Sequence, residues 1–228
     1  MVVSYLGKEY KDILAYVDNS IGYMKFNRPK AMNAVSLELL DEAITVIEQY
    51  KYDPDVKVIL IYGEPNTFAV GADLRDWHWR TPFEARDGDD KVQSTIMALE
   101  DNHKPVIAAV QGLALGGGLE MILACDISIV DEKAMLGFPE INLGIFPGGG
   151  GTQRLPRNIS MCLAKQLIFT GELFTGKAAG EMGLINKAVP SDQVMDEARK
   201  MARKLITKSP LALREAKNAV NQSMNLDI

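Results

Sequence analysis

The run Val56–Tyr62 (VKVILIY) restricts the fold more than any other stretch of the sequence. It is almost continuously apolar and rich in β-branched side chains, which is typical of a strand buried on both faces of a parallel sheet. A strand with one wet face would instead alternate polar and apolar residues. Because parallel strands need long, usually helical crossovers, the run predicts an α/β protein.

Further apolar runs and amphipathic stretches alternate along the chain, as right-handed crossovers require. The predicted strands are Ile13–Val17, Ile21–Phe26, Val56–Tyr62, Val106–Val110 and Ile127–Val130. The predicted helices are Val35–Tyr50, Lys91–Asn102, Leu119–Cys125, Ser191–Thr207 and Pro210–Val220. Asn33 or Ser36 is expected to cap the first helix, and Ser209 followed by Pro210 to begin the last. The charged segment Pro82–Asp90 is expected to be mobile.

The pattern changes after Pro190 to two helical stretches, which predicts a core of residues 1–190 with a helical C-terminal segment, 191–228, that is expected to be incomplete. Hydrophobic residues make up 47% and charged residues 24% of the 228 residues, which is normal for a globular protein. The 25 basic and 30 acidic side chains give a net charge of −5 without a concentrated basic block, which argues against nucleic acid as a partner. Small anionic ligands stay compatible, because a few backbone N–H groups can hold a phosphate.

The sequence contains no run of about 18 apolar residues and no secretory signal, so a cytoplasmic protein without a membrane span is expected. An organellar matrix location is left open. The two cysteines, Cys125 (LACDI) and Cys162 (MCLAK), lie in apolar surroundings. We expect both to be buried, reduced thiols.

Glycines occupy positions 112, 116, 117 and 118 of VQGLALGGGLEM, between a predicted strand and a predicted helix. One interpretation is a dinucleotide turn with Asp131 on the ribose. However, about 110 residues precede the turn, where such turns follow the first strand, and none of the seven tyrosines is followed by lysine four residues later, as a short-chain dehydrogenase needs. The other interpretation is an oxyanion hole, in which an N–H group at the helix start binds a carbonyl oxygen as it gains charge. Glu120 would then point into the same pocket.

A second carboxyl group, Glu140, lies in the apolar stretch LGFPEINLGIF. Such surroundings are expected to raise the pKa of the carboxyl group, so that it holds a proton near neutrality. Taken alone, Glu120 and Glu140 are each also compatible with an ordinary surface position. The glycine cluster at 148–151 lacks the Gly-Lys-Ser/Thr ending of a P-loop, and no G-x-S-x-G motif appears, so an NTPase or serine hydrolase is not expected. The histidines His78 and His103 lack ligand spacing, so no metal is expected.

Six segments, in order, resemble the motifs of the crotonase (enoyl-CoA hydratase/isomerase) family along nearly the whole chain. They are Asn27–Ala34 (NRPKAMNA), Phe68–Leu74 (FAVGADL), Lys104–Glu120 (KPVIAAV with the glycine turn), Phe138–Glu140 (FPE), Leu143–Gly148 (LGIFPG) and Gly151–Leu155 (GTQRL). Each motif is weak alone, and their shared order makes the resemblance specific.

The resemblance implies a spiral of repeated ββα units, followed by a helical C-terminal part that forms trimers, often paired into hexamers. It implies an acyl-CoA thioester as substrate and no cofactor, since coenzyme A is part of the substrate. By the same resemblance, the N–H groups of Ala72 and Gly117 would stabilise a thioester enolate, Glu120 would activate water, and Glu140 would exchange the α-proton. The substrate-binding residues implied are Lys30, Ala72, Asp73, Leu74, Arg75, Gly116, Gly117 and Pro139, with Lys30 near the adenine and phosphates.

Having both glutamates favours enoyl-CoA hydratase, or the reverse 3-hydroxyacyl-CoA dehydratase reaction. Relatives that lack one glutamate isomerise, decarboxylate or dehalogenate, and a non-catalytic binding member is a further alternative. Trp77 and Trp79 could wall the acyl site or pack as a helix face. Arg28 or Arg75 could pair with phosphate or be solvated. Family members usually continue beyond the last residue of this chain, so the C-terminal helices are expected to be incomplete.

Overall fold

The computed structural model describes residues 8–76 and 81–223, and within them the chain forms two β-sheets and a set of helices. The strands are β1 Ile13–Asp18, β2 Ile21–Phe26, β3 Val58–Tyr62, β4 Thr67–Ala69, β5 Val106–Val110, β6 Leu113–Leu115, β7 Ile127–Asp131, β8 Met135–Gly137, β9 Phe174–Thr175 and β10 Lys187–Val189. The helices are α1 Leu37–Tyr52, α2 Pro82–Glu100, α3 Gly117–Ala124, α4 Gly151–Asn158, α5 Met161–Thr170, α6 Gly176–Glu181, α7 Val194–Ile206 and α8 Pro210–Gln222. Short 3₁₀ helices span Pro29–Ala31, Pro139–Leu143 and Ser191–Gln193.

The strands alternate between the two sheets, which makes the chain a spiral. The first sheet has the order β1-β2-β3-β5-β7-β10 and is parallel from β2 onwards. The second has the order β4-β6-β8-β9 and is parallel from β4 to β8. Thus β3 and β4 lead into α2, β5 and β6 into α3, and β7 and β8 into the 3₁₀ helix Pro139–Leu143. The predicted α/β fold of wound ββα units is confirmed.

Strand β3 is buried on both faces, as the apolar run at its position predicts. Ile59 and Ile61 belong to the main core, which fills the space between the two sheets and against α1. Val58 and Leu60 belong to a second core on the opposite face, where α7 packs with small, fully buried alanines. Burial of this kind stabilises each Val, Leu or Ile side chain by about 1.5–3 kcal/mol. The first of the two predicted C-terminal helices, α7, therefore forms a third layer on the first sheet.

Helix α8 is fixed to the body by a buried ammonium group. Lys217, whose side chain is only 6% exposed, lies 2.8 Å from a carboxylate oxygen of Asp126. The same ammonium group donates to the carbonyl oxygens of Leu99 and Lys104. Removing one partner of such a pair leaves the other charge buried and unpaired, so the contact specifies where the helix docks.

The helix termini agree with the sequence at two of the expected caps. Ser36 accepts a hydrogen bond from the Leu39 N–H at the start of α1, and Ser209 caps α8 with Pro210 at its first position. The prediction that Pro82–Asp90 is mobile is wrong, because these residues form the first half of α2. Thr81 and Glu84 make a reciprocal capping box that begins the helix nine residues earlier than the apolar pattern suggests.

Both cysteines are free thiols, as expected, but the expectation that both are buried is wrong for Cys162. That residue is exposed on α5, whereas Cys125 is half-buried and donates to the carbonyl oxygen of Met121. Burial raises the pKa of the Cys125 thiol above its ordinary value. Across the described ranges 8–76 and 81–223, no helix combines the length and apolar character needed to cross a bilayer.

Candidate active site

Glu120 lies in the first turn of α3, with only 3% of the residue exposed. Its Oε1 accepts a 2.8 Å hydrogen bond from the N–H of Gly151 at the start of α4, and the N–H of Gly149 is a second donor. Burial raises the pKa of Glu120, while these two hydrogen bonds and the charge of Arg154 oppose that shift. The protein therefore offers a buried carboxyl group whose ionised form is supported by two donors.

The glycine run is required for this approach. A Cβ atom at Gly149 would lie 2.4 Å from Oε2 of Glu120 and 2.6 Å from Cδ1 of Ile96. Neither neighbour has free space to yield, since both side chains are buried. Only glycine lets the backbone come close enough for its N–H group to reach the carboxylate.

Glu140 lies in the 3₁₀ helix Pro139–Leu143, directly after β8. Its Oε1 contacts the glycine turn at Gly116, where φ is +51° and a Cβ atom would lie only 2.9 Å from that oxygen. Its Oε2 is buried and has no hydrogen-bond partner among the described residues. Burial raises the pKa of Glu140 to about 7; the residue's own N–H opposes this shift and the negative charge of Glu120 adds to it.

The environments of the two carboxyl groups are therefore unequal. Glu120 receives two backbone N–H groups, which stabilise its charged form. Glu140 has a buried, unpartnered oxygen, which favours its neutral form. Paired groups whose surroundings push their pKa values apart are suited to act as base and acid in one reaction.

Two backbone N–H groups face the same turn. Val35 forms a parallel bridge with Ala72, donating to Gly71 O at 2.7 Å and accepting from Asp73 N–H at 2.9 Å. Since successive N–H groups of an extended segment point to opposite sides, the N–H of Ala72 points away from Val35. Gly117 is the first residue of α3, so its N–H has no acceptor within the helix.

These two groups are close together. A Cβ atom on Gly71 would lie 3.6 Å from the nitrogen of Gly117. Among backbone hydrogen bonds in the described part of the chain, neither the N–H of Ala72 nor that of Gly117 has an acceptor. Two unpaired donors beside a pair of carboxyl groups can bind one oxygen that gains negative charge.

The loop that carries Ala72 is held by a buried carboxylate. Asp73, 4% exposed, accepts from Nε and Nη2 of Arg75 at 2.9 and 2.8 Å and from Nη2 of Arg28 at 3.0 Å. Arg28 also lies 2.9 Å from Asp12, and its side chain is 17% exposed. Hydrogen bonds from Arg75, and then from Arg28, hold the pKa of Asp73 well below its usual range. Arg28 is thus a structural cation and is neither solvated nor available to a phosphate.

The remaining predicted substrate residues differ in exposure. Lys30, Leu74 and Arg75 are exposed, and Pro139 is half-buried beside Glu140. Trp77, His78 and Trp79 lie outside the described residues. The structure thus brings the predicted acid–base pair and donor pair together, and it leaves Lys30, Leu74 and Arg75 open to solvent at the surface.

The donors that hold Glu120 are not among the residues predicted from the sequence. The glycine cluster at 148–151 was compared there only with a phosphate loop and with a family motif. The available signal was a glycine run immediately before a helix, because such a run presents unpaired N–H groups to an anion. Here that anion is a carboxylate of the protein.

The structure also bears on the nucleotide and metal alternatives. Asp131, which a dinucleotide site would use, is buried, and its carboxylate accepts from the N–H of Lys133 at 2.9 Å. In residues 8–76 and 81–223, no group of three or more His, Cys, Asp or Glu side chains is placed to hold a metal ion. The side chain of Glu140 approaches the glycine turn at Gly116.

Two unequal carboxyl groups lie beside two N–H donors without a backbone acceptor in the described part of the chain, on a spiral of ββα units, and this arrangement is suited to moving protons next to a carbonyl group. The chain belongs to the enoyl-CoA hydratase/isomerase family, whose model matches residues 17–227. It is 38% identical to a crotonyl-CoA hydratase of Syntrophomonas wolfei over 220 residues, covering 96% of this chain and 85% of the relative. It is 42% identical to a probable mitochondrial enoyl-CoA hydratase of Dictyostelium discoideum over 208 residues, 91% of this chain and 74% of that one.

Solved structures of this family have the same fold. The crystal structure of an enoyl-CoA hydratase from Bacillus anthracis superposes with a TM-score of 0.91 at 36% identity, covering 95% of this chain and 85% of that one. The family and the fold inferred from the sequence motifs are confirmed.

Proposed function

We propose that the protein is an enoyl-CoA hydratase that adds water across the double bond of a trans-2-enoyl-CoA thioester. The observation that carries the proposal is the unequal pair of buried carboxyl groups, Glu120 with two donors and Glu140 with an unpartnered oxygen. Hydration needs two proton movements, one from water and one to the α-carbon. Each properly placed acid or base contributes about 10²–10⁴-fold to the rate.

In this mechanism Glu120 takes the proton from water as the water oxygen attacks the β-carbon. The two N–H groups at its carboxylate favour the ionised form, against the burial that raises its pKa, and fix its direction. Glu140 supplies the proton that adds to the α-carbon, which fits a carboxyl group with a pKa of about 7. In the reverse dehydration the two groups exchange roles.

The negative charge that develops on the thioester oxygen goes to the N–H groups of Ala72 and Gly117. Both donors are fixed before substrate binds, Ala72 by the bridge to Val35 and Gly117 by the helix. The dipole of α3 adds to this stabilisation. The proposed mechanism uses no resident cofactor, because coenzyme A arrives as part of the substrate.

We assign binding of the CoA moiety to the exposed residues around the Ala72 loop. Lys30 and Arg75 carry positive charge at the surface, which suits the CoA phosphates, and Leu74 offers apolar contact. Asp73 contributes by holding the loop, since its carboxylate is occupied by two guanidinium groups. Gly116 and Pro139 shape the wall beside Glu140.

The test is the loss of the conjugated-thioester ultraviolet absorbance of crotonyl-CoA, with product identified as 3-hydroxybutyryl-CoA by mass spectrometry. Hydration supports the proposal. A folded protein that instead moves the double bond of 3-enoyl-CoA, without adding water to any 2-enoyl-CoA from four to sixteen carbons, would contradict it and favour an isomerase.

The pH dependence of kcat/KM follows from the one proton that Glu120 and Glu140 share. Hydration requires Glu120 ionised and Glu140 protonated, so the active form of the pair carries one proton. The pKa of Glu140 is about 7, so kcat/KM for hydration is expected to fall as pH rises through about 7 and to fall again when Glu120 gains a proton at lower pH. Dehydration also needs one proton on the pair, so it is expected to show the same two limbs. Stopped-flow kcat/KM measurements in both directions check this, and a flat profile from pH 5 to 9 would contradict it.

We further propose that the chain assembles as a homotrimer or a hexamer built from trimers, with a second copy of the chain covering an exposed apolar face. That face comprises Leu143 at the end of the 3₁₀ helix, Ile145 and Phe146 just after it, and Phe169 on α5, with exposed fractions between 54% and 68%. Monomers rarely expose such contiguous apolar groups. Light scattering after size exclusion is expected to give a trimer or hexamer, and Phe169→Glu to shift the population toward smaller species, whereas a wild-type monomer would refute the proposal. The cytoplasmic location of the protein stays a prediction.

A further inference from the structure

Arg154, on α4, contacts the segment that holds Glu120. Its Nη1 donates to the carbonyl oxygen of Gly149 at 3.2 Å, and its Nη2 pairs with Glu100 at the end of α2. The side chain is only 14% exposed. Gly149 therefore accepts from Arg154 with its carbonyl oxygen and donates to Glu120 with its N–H.

The packing around the guanidinium group of Arg154 leaves it little space to move. A Cβ atom at Gly150 would lie 2.0 Å from Nη1 of Arg154, so the side chain lies directly against the turn. Its Nε is buried without a hydrogen-bond partner among the described residues. Burying an unsatisfied N–H costs free energy, which indicates that the contacts made by the other two nitrogens fix the side chain there.

We infer that Arg154 is a positioning residue for Glu120: it fixes the Gly149 turn whose N–H holds the carboxylate, and it places a positive charge beside that turn. This inference rests on the proposed hydratase mechanism for its kinetic consequence. Its structural content, control of Glu120 by Arg154, does not depend on the substrate.

Glu100 controls how strongly the positive charge of Arg154 acts on Glu120. Its carboxylate neutralises part of the guanidinium charge, and its carbonyl oxygen accepts from the side chain of Asn221 on α8. Glu100 is 38% exposed, so its replacement is tolerated better than that of Arg154. Arg154→Gln and Glu100→Gln are therefore expected to move the ionisation of Glu120 in opposite directions.

The experiment measures the ionisation of Glu120 directly, by ¹³C NMR of protein labelled at glutamate carboxyl carbons, with the signal assigned by its loss in Glu120→Gln. Arg154→Gln is expected to move the Glu120 titration to higher pH, Arg154→Lys to restore most of the shift, and Glu100→Gln to move it to lower pH. The matched control is Arg157→Gln, an exposed arginine on the same helix, which is expected to leave the titration unchanged.

In kinetics, Arg154→Gln is expected to move the acidic limb of kcat/KM to higher pH. It is also expected to lower the pH-independent kcat/KM by up to about 10²-fold, as misplacement of a catalytic group does. A merely structural role would lower thermal stability without moving the limb. An unmoved Glu120 titration in folded Arg154→Gln would overturn the inference, and if that variant does not fold, an unmoved titration in Glu100→Gln would do so. Absence of hydratase activity in the wild type would refute the proposed function and leave the NMR result decisive for Arg154.

Discussion

Replacement of Glu140 by glutamine is expected to lower kcat/KM for crotonyl-CoA hydration by about 10²–10⁴-fold. The reason is chemical, because an amide of nearly the same shape cannot deliver a proton to the α-carbon. The Oε2 atom of Glu140 has no partner among the described residues, so the substitution breaks no hydrogen bond of that oxygen. The variant should therefore fold as the wild type does, and its defect should lie in kcat more than in KM.

The same change at Glu120 is expected to cause a loss of similar size with a less simple origin. A glutamine there would direct an NH₂ group at one of the two N–H donors that now bind the carboxylate, so the glycine turn would be disturbed. Glu140→Gln is for this reason the cleaner test of proton transfer. Glu172→Gln, at an exposed glutamate, is the matched control and should retain wild-type activity.

A second readout separates the role of Glu140 from that of Glu120. In D₂O, the α-protons of saturated butyryl-CoA should exchange with solvent in the wild type, because the acid–base pair and the two N–H donors form the enolate without any added water. Glu140→Gln should abolish this exchange, measured by ¹H NMR. Normal hydration together with lost exchange, or full activity in both assays, would refute the assignment of the α-proton to Glu140.

The sequence predicts those parts of the fold whose pattern is local. The run at β3 shows burial on both faces, and the structure places its alternate side chains in two different cores. The short strands β4, β6 and β8 were missed, because three residues carry too little alternation to distinguish a strand from a loop. The wound arrangement of the two sheets came from the family resemblance, since strand pairing between distant segments leaves no local signal.

The candidate site also has features that the sequence predicts and features that it does not. Glu120 and Glu140 can be found from the sequence as acids beside a glycine turn and in an apolar segment. The difference between their surroundings cannot be found in this way, since it depends on donors at the start of α4 and in the turn before it, about thirty residues along the chain from Glu120. The role of Arg28 also cannot be inferred from the sequence, because its partners Asp12 and Asp73 are far apart in sequence and meet only in the folded protein. Long-range electrostatics of this kind follow from tertiary contacts.

Gly117→Pro is expected to lower kcat by at least about 10²–10³-fold, the usual loss when one oxyanion donor is removed. Gly117 is the first residue of α3, a position where proline is well tolerated because the N–H has no helical acceptor. The substitution therefore deletes the proposed donor while keeping the helix. Its ring carbon also occupies the space in front of that nitrogen, so the thioester oxygen cannot approach.

The matched control is Gly117→Ala, which keeps the N–H group. A Cβ atom there would meet Gly71 Cα at 3.9 Å and Glu120 Oε2 at 4.0 Å, both ordinary contact distances, so alanine fits without displacing either neighbour. Alanine is therefore expected to retain kcat within about tenfold of the wild type, well short of the loss expected when a donor is deleted. Circular dichroism should show both variants folded. If proline and alanine reduced kcat equally, the loss would come from the side chain, and Gly117 would not be a donor to the enolate oxygen.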